Sequence, residues 1–126
     1  MDDSHRTLHA CLLRLAAERR TATYQELATM AAVPPPHRIH NVTLLLEDLI
    51  REDHAAGRPL LAACAVSRAQ NGIPGPGYFQ LLQALGRYRG ADRGGEAAAC
   101  HSTELHAAWD YWGGQSTGDG RGREGR

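Results

Sequence analysis

The residues best suited to chemistry fall in three short runs: His37, Arg38, His40 and Asn41; Cys64; and Arg68 with Gln70 and Asn71. Arginine and asparagine can each grip a base edge through two hydrogen bonds, guanine and adenine respectively. At the first turn of a helix, 37–41 would present those groups together with the positive end of the helix dipole, which favours phosphate. The bland alternative is a solvated helix start. Arg68, Gln70 and Asn71 lie beside a Gly/Pro segment that either tracks a phosphate strand or closes a hairpin. Seven histidines raise the question of a metal. His37 with His40 and His5 with His9 have spacings that share a helix face, but neither pair is joined by a third ligand set, and Cys100, His101 and His106 fare no better. Cys11, Cys64 and Cys100 are odd in number and too far apart for zinc or disulfide spacing. No Ser/His/Asp order, paired carboxylates or phosphate-cradling glycine loop ending in lysine stands out. The expectation is a protein without catalysis, cofactor or metal.

Positioning these groups requires a particular order of elements. Leu8, Cys11, Leu12 and Leu15 repeat at helical spacing within residues 4–20. Thr23 and Glu26 have the spacing of a capping box, which starts a second helix facing the core with Tyr24, Leu27 and Met30 or Ala31. Pro34, Pro35 and Pro36 end it, and Pro36 suits the first turn of the next helix. That long helix runs to about Gly57, with a core stripe of Ile39, Val42, Leu45 or Leu46, Leu49 and Ile50. Three consecutive leucines at 44–46 make the stripe broader than one face needs, so another element or a partner must cover the excess. Residues 60–67 are short and apolar, which predicts a buried strand. Asn71-Gly72 and the glycines and prolines through Gly77 predict a turn or wing. Helical spacing returns from Tyr78 to Leu85, then in a last helix over about 96–112 carrying Leu105, Ala108, Trp109 and Trp112. Residues 113–126, with six glycines in fourteen, are expected to be a disordered tail.

The fold class expected from this order is mainly α with a small β wing: a winged helix-turn-helix core (21–88) plus N- and C-terminal helices in one domain over 1–112. Fourteen arginines balance fourteen acidic residues and there is no lysine. Any attraction to phosphate therefore has to come from a local patch rather than from net charge. The all-arginine usage fits a GC-rich coding sequence at least as well as a binding role. No stretch approaches the length of a membrane span, and no secretory signal is visible, so a cytoplasmic protein with no membrane partner is expected.

Residues 23–78 resemble the DNA-binding domain of alkylguanine-DNA alkyltransferases and the alkyltransferase-like proteins. Thr23-Tyr24-Gln25-Glu26-Leu27-Ala28 is similar to the family's Tyr-Gly-x-[IL]-Ala opening, with Gln in place of Gly. Arg38 occupies a place like that of the arginine that enters the duplex. Ala63-Cys64-Ala65-Val66 followed by Gly72-Ile73-Pro74-Gly75-Pro76-Gly77-Tyr78 looks like the Pro-Cys-His-Arg-Val segment and its glycine-rich wing. The family's reactive cysteine is activated by a histidine directly after it, whereas Cys64 is followed by Ala65. The resemblance thus implies DNA binding without alkyl transfer, leaving Cys64 a small core residue. The same segment is similar to a group of small bacterial proteins with the pattern TY-x-E-LA followed by G-x-PG-x-G-[YF], which implies a fold and no reaction.

Together these readings predict a non-enzymatic, winged-helix nucleic-acid-binding protein. Its contacts with duplex or single-stranded DNA would come from His37, Arg38, Asn41, Tyr24, Arg68 and Asn71. The alternative is a protein–protein interaction module or homodimer of the same fold, suggested by zero net charge and the acidic second half of the long helix.

Overall fold

The computed structural model describes residues 3–70 and 72–116 and is mainly helical. Helix α1 (Asp3–Ala17) leads through a two-residue strand β1 (Ala22–Thr23) into α2 (Tyr24–Met30) and the long α3 (Arg38–Ala56). A 3-10 turn (Leu61–Cys64) then feeds strand β2 (Ala65–Val66), and α4 (Pro76–Ala84) and α5 (Gly94–Ser116) complete the described chain.

The start of α2 follows directly from sequence. Thr23 accepts a hydrogen bond from the Glu26 amide (3.1 Å), and the Glu26 carboxylate accepts one from the Thr23 amide (2.8 Å). Helix α3 ends at Gly57 in the left-handed conformation (φ 73°), with the Arg58 amide reaching back to the Asp53 carbonyl at 2.9 Å. A glycine adopts that geometry without a Cβ clash. Pro36 does not enter α3, contrary to expectation. The helix begins at Arg38, and the residue capping it is His37, itself left-handed at φ 62° and without a side-chain cap bond.

Residues 60–67 are not one strand. Asp53, inside α3, accepts a hydrogen bond from the Leu61 amide (3.2 Å), which turns the segment into a 3-10 helix before only Ala65 and Val66 extend. Those two residues pair in parallel with Ala22 and Thr23. The expected hairpin is reduced to one antiparallel bridge, Ser67 with Ile73, in which the Ser67 amide donates to the Ile73 carbonyl at 2.8 Å. Gly72 has φ 86° inside this loop, and Asn71 lies outside the described residues. Helix α4 starts two residues earlier than its apolar spacing suggests because Pro76 fits the first helical position after Gly75.

The core is built on Leu8, Leu12, Leu27, Val42, Ile50, Leu60, Leu61, Phe79 and Leu82, all fully buried. Trp112 closes it from α5, donating its indole N–H to the Pro59 carbonyl at 2.8 Å. Helix α5 extends through Gly113 and Gly114, which the sequence placed in a disordered tail; residues 117–126 lie outside the described residues. At Gly113 the helices pass so close that an added Cβ would stand 2.9 Å from the Ala16 carbonyl oxygen. A glycine is therefore required by packing there, and its helical cost is met by contact with α1.

His101 is the buried titratable group of α5, its Nε2 2.8 Å from the Ala63 carbonyl. A carbonyl only accepts, so Nε2 carries the proton in the neutral ring. Burial lowers the His101 pKa, with the Ala63 bond pulling the other way, and burial also lowers that of His9 against Trp112. A depressed histidine contributes stability that is complete above the unfolded value near 6.5 and is lost as pH falls toward and through the folded one. The urea midpoint should therefore fall between pH 7.5 and 5, with a slope of up to about 1.4 kcal/mol per pH unit for each proton taken up. His101→Gln keeps a donor for Ala63 and should flatten that dependence. An unchanged slope would place the acid sensitivity elsewhere.

Candidate nucleic-acid interface

The face of interest is assembled from α2, the start of α3 and the loop 67–73. Two hollows lie on it. One, of about 230 Å³, is lined by Thr23, Tyr24, Gln25, Ile39, Ser67, Arg68 and Ala69. The other, of about 540 Å³, is lined by Gln25, Ala28, Pro35, His37, Arg38, Ile39 and His40. Gln25 and Ile39 are common to both and form the ridge between them. Neither lining includes an aspartate or glutamate. A third hollow, about 470 Å³, adjoins on the α1 side with Arg14, Arg20 and Arg68, but also with Glu18 and Glu26. Both carboxylates there are engaged, Glu18 with Arg20 at 3.0 Å and Glu26 in its capping box.

The structure divides the six residues singled out from sequence. His37 and Arg68 are exposed and, like Gln25 and His40, form no side-chain hydrogen bond to another described residue. Arg38 is exposed, but its guanidinium is committed: Nε donates to the Val33 carbonyl at 2.8 Å and Nη2 to the Ala28 carbonyl at 3.1 Å. Val33 lies just beyond the C-terminal end of α2, where helices leave acceptors without partners, whereas the Ala28 carbonyl in the helix also accepts from the Val33 amide at 3.0 Å. Arg38 therefore staples the α2–α3 turn. Asn41 is half-buried and donates to the Pro36 carbonyl at 3.2 Å, bracing the same turn. Tyr24 accepts a hydrogen bond from the Gly75 amide at 2.8 Å, which ties α2 to the start of α4; burial raises its pKa. Asn71 falls outside the described residues.

Sequence reasoning missed Gln25 and above all Ile39. Ile39 was assigned to the core stripe but is 45% exposed, because α2 stops at Met30 and nothing described covers the first turn of α3. Met30 (41% exposed) and Leu44 (47%) are the other large apolar side chains left open on these two helices. The leucine run resolves into a buried Leu46, a half-buried Leu45 and the exposed Leu44.

The acidic residues of α3 each have a basic neighbour. Arg51 lies 3.8 Å from Glu47 and 3.4 Å from Asp48, His5 is 3.6 Å from Glu52, and Arg58 is 3.0 Å from Asp53. Repulsion of phosphate by this half of the helix is thereby reduced. Cys64 is fully buried, and burial pushes its pKa up to about 12, so it is a neutral thiol at physiological pH. Among the described residues, no three His, Cys, Asp or Glu side chains come together to hold a metal ion, and no helix is long and apolar enough to cross a membrane.

No protein-family model, curated protein or solved structure matches the chain.

Proposed function

We propose that this protein is a non-enzymatic nucleic-acid-binding module in which α2 and α3 act as a helix-turn-helix and the loop closed by Ser67 and Ile73 serves as a minimal wing. The observation that carries this reading is the pair of adjoining hollows free of carboxylates on a chain whose acids and bases are equal in number. A surface with that local bias attracts phosphate even when net charge does not. In this reading Arg68 and His37 meet the backbone, His40 and Gln25 lie near base edges, and Arg38 with Asn41 holds the turn that presents them. The likeness to the alkyltransferase DNA-binding domain supports the same reading, with Cys64 kept as core.

Fluorescence anisotropy on a labelled duplex and on single-stranded DNA, at rising salt, tests it. Binding should weaken steeply with salt, by about 0.9 log units in affinity per log unit of salt for each phosphate neutralised on duplex. Arg68→Ala should reduce that slope by about one phosphate's worth and weaken binding at low salt. Absence of binding at 20–50 mM salt, a range of about the strongest electrostatic attraction, would remove the proposal.

A second reading, a protein-docking module, draws on Leu44. It stands on the exposed side of α3 and outside both carboxylate-free hollows. A concentration-dependent mass in light scattering, reduced by Leu44→Ser, would favour it.

A further inference from the structure

Ile39 occupies a position that a nucleic-acid surface would not ordinarily leave to a bare hydrocarbon. It is 45% exposed on the ridge between two polar hollows, with Arg68 in the hollow on one side and His37, Arg38 and His40 in the other. Resting on the reading of this face as a nucleic-acid surface, we propose that Ile39 is a wedge that enters a base step of duplex DNA and partly unstacks it, while basic groups on either side hold the two phosphate backbones.

Three features of the site support a wedge. The first is rigidity. A β-branched side chain in a helix is held close to one χ1 rotamer, so little freedom remains to be lost on insertion. The turn beneath it is fixed by the two Arg38 hydrogen bonds to Val33 and Ala28, by Asn41 on the Pro36 carbonyl, and by Thr43 Oγ1 donating to the Ile39 carbonyl at 3.0 Å. The second is that the neighbouring long cation is already spent. Arg38 cannot extend into a groove without surrendering both carbonyls, so the side chain free to penetrate is the isoleucine next to it. The third is the placement of charge. A single strand offers one phosphate backbone, whereas Arg68 on one flank of the apolar ridge and His37 with His40 on the other suit two strands separated by a groove. Ile39 is already about half buried, so insertion gains roughly half of a full isoleucine burial; that offsets part of the cost of unstacking, and the flanking phosphate contacts supply the rest.

Duplexes carrying 2-aminopurine at successive adenine positions report the step directly, since its emission rises when stacking is lost. The full chain at saturating concentration should raise emission at one or two positions of the duplex. Ile39→Ala should abolish the rise and weaken duplex binding by roughly tenfold, the scale of one apolar side chain's burial. Ile39→Met, which keeps an apolar wedge, should retain most of both. Because Ile39 is half exposed, the alanine variant should melt with the wild type, and near-identical circular dichroism melts verify that it folds. If anisotropy shows duplex binding but emission is unchanged at every position, the wedge is refuted while the nucleic-acid reading survives. If Ile39→Ala binds and unstacks as the wild type does, the assignment to Ile39 is refuted. If no DNA binds at all, the underlying reading fails and the wedge with it.

Discussion

Asp53→Ala should cost about 2–3 kcal/mol of folding stability and lower the melting temperature by roughly 10 °C, at about 4 °C per kcal/mol for a domain of this size. The carboxylate is 4% exposed and works in two directions: one oxygen accepts from Arg58 Nε at 3.0 Å, the other from the Leu61 amide at 3.2 Å. Removing it leaves the amide of a fully buried leucine without an acceptor, and that loss dominates. The Arg58 contribution is smaller, because its side chain is 37% exposed and water can take over part of its solvation. Arg58 also lies 5.6 Å from the centre of the Trp112 ring, so its displacement loosens α5 as well. Burial raises the Asp53 pKa, opposed by the Leu61 amide and by Arg58. A carboxyl shifted that way is favoured by folding below its unfolded value, and the contribution is lost as pH rises through the folded one. At neutral pH the ionised form is thus held at some cost, and Asp53→Asn, which retains an acceptor for Leu61, should lose about half as much as alanine. Equal damage from both variants would mean that the charge, rather than the acceptor, matters most. A near-neutral alanine variant would refute the account.

Arg38→Ala should lower stability by about 1–2 kcal/mol and weaken DNA binding without changing its dependence on salt. Each hydrogen bond from a charged donor is worth on the order of 1.5–3 kcal/mol when buried, but the arginine is on the surface, so the pair together is discounted. The effect on binding is then indirect: a looser α2–α3 turn presents Ile39, His37 and His40 less well. Two measurements distinguish this from direct contact. A staple lowers the urea midpoint and leaves the salt slope intact, whereas a phosphate-contacting arginine does the reverse. Arg38→Lys, with one compact donor in place of a planar fork, should recover only part of the stability. Unchanged stability combined with a slope reduced as for Arg68→Ala would return Arg38 to the role implied by the family likeness.

The elements most legible in the sequence were those set by local rules. The capping box at Thr23 and Glu26, the stop at Gly57 and the apolar stripe of α1 each depend on residues within a few positions of one another. What escaped was set by distant contacts. The apolar run 60–67 has strand composition, yet the acceptor deciding its path is Asp53, a residue that reads from sequence as part of an exposed acidic face. The extension of α5 through Gly113 depends on the closeness of Ala16, nearly a hundred positions earlier. In the candidate site, residue types singled out a stretch of chain but not the contacts each side chain makes there. Arg38 and Asn41 looked like contact residues and are occupied by carbonyls, while Ile39 continued the helical stripe and was read as core. Only the short length of α2, which leaves the first turn of α3 uncovered, separates those alternatives.

Helix α3 has nineteen residues and so extends roughly 28 Å at 1.5 Å per residue. Ile39 stands at its opening turn and Asp53 near its close, on the order of 20 Å apart. Perturbations that far apart and without shared partners combine additively. Strengthening the anchorage around Trp112 should therefore raise heat tolerance while leaving the exposed first turn of α3 at the opposite end undisturbed.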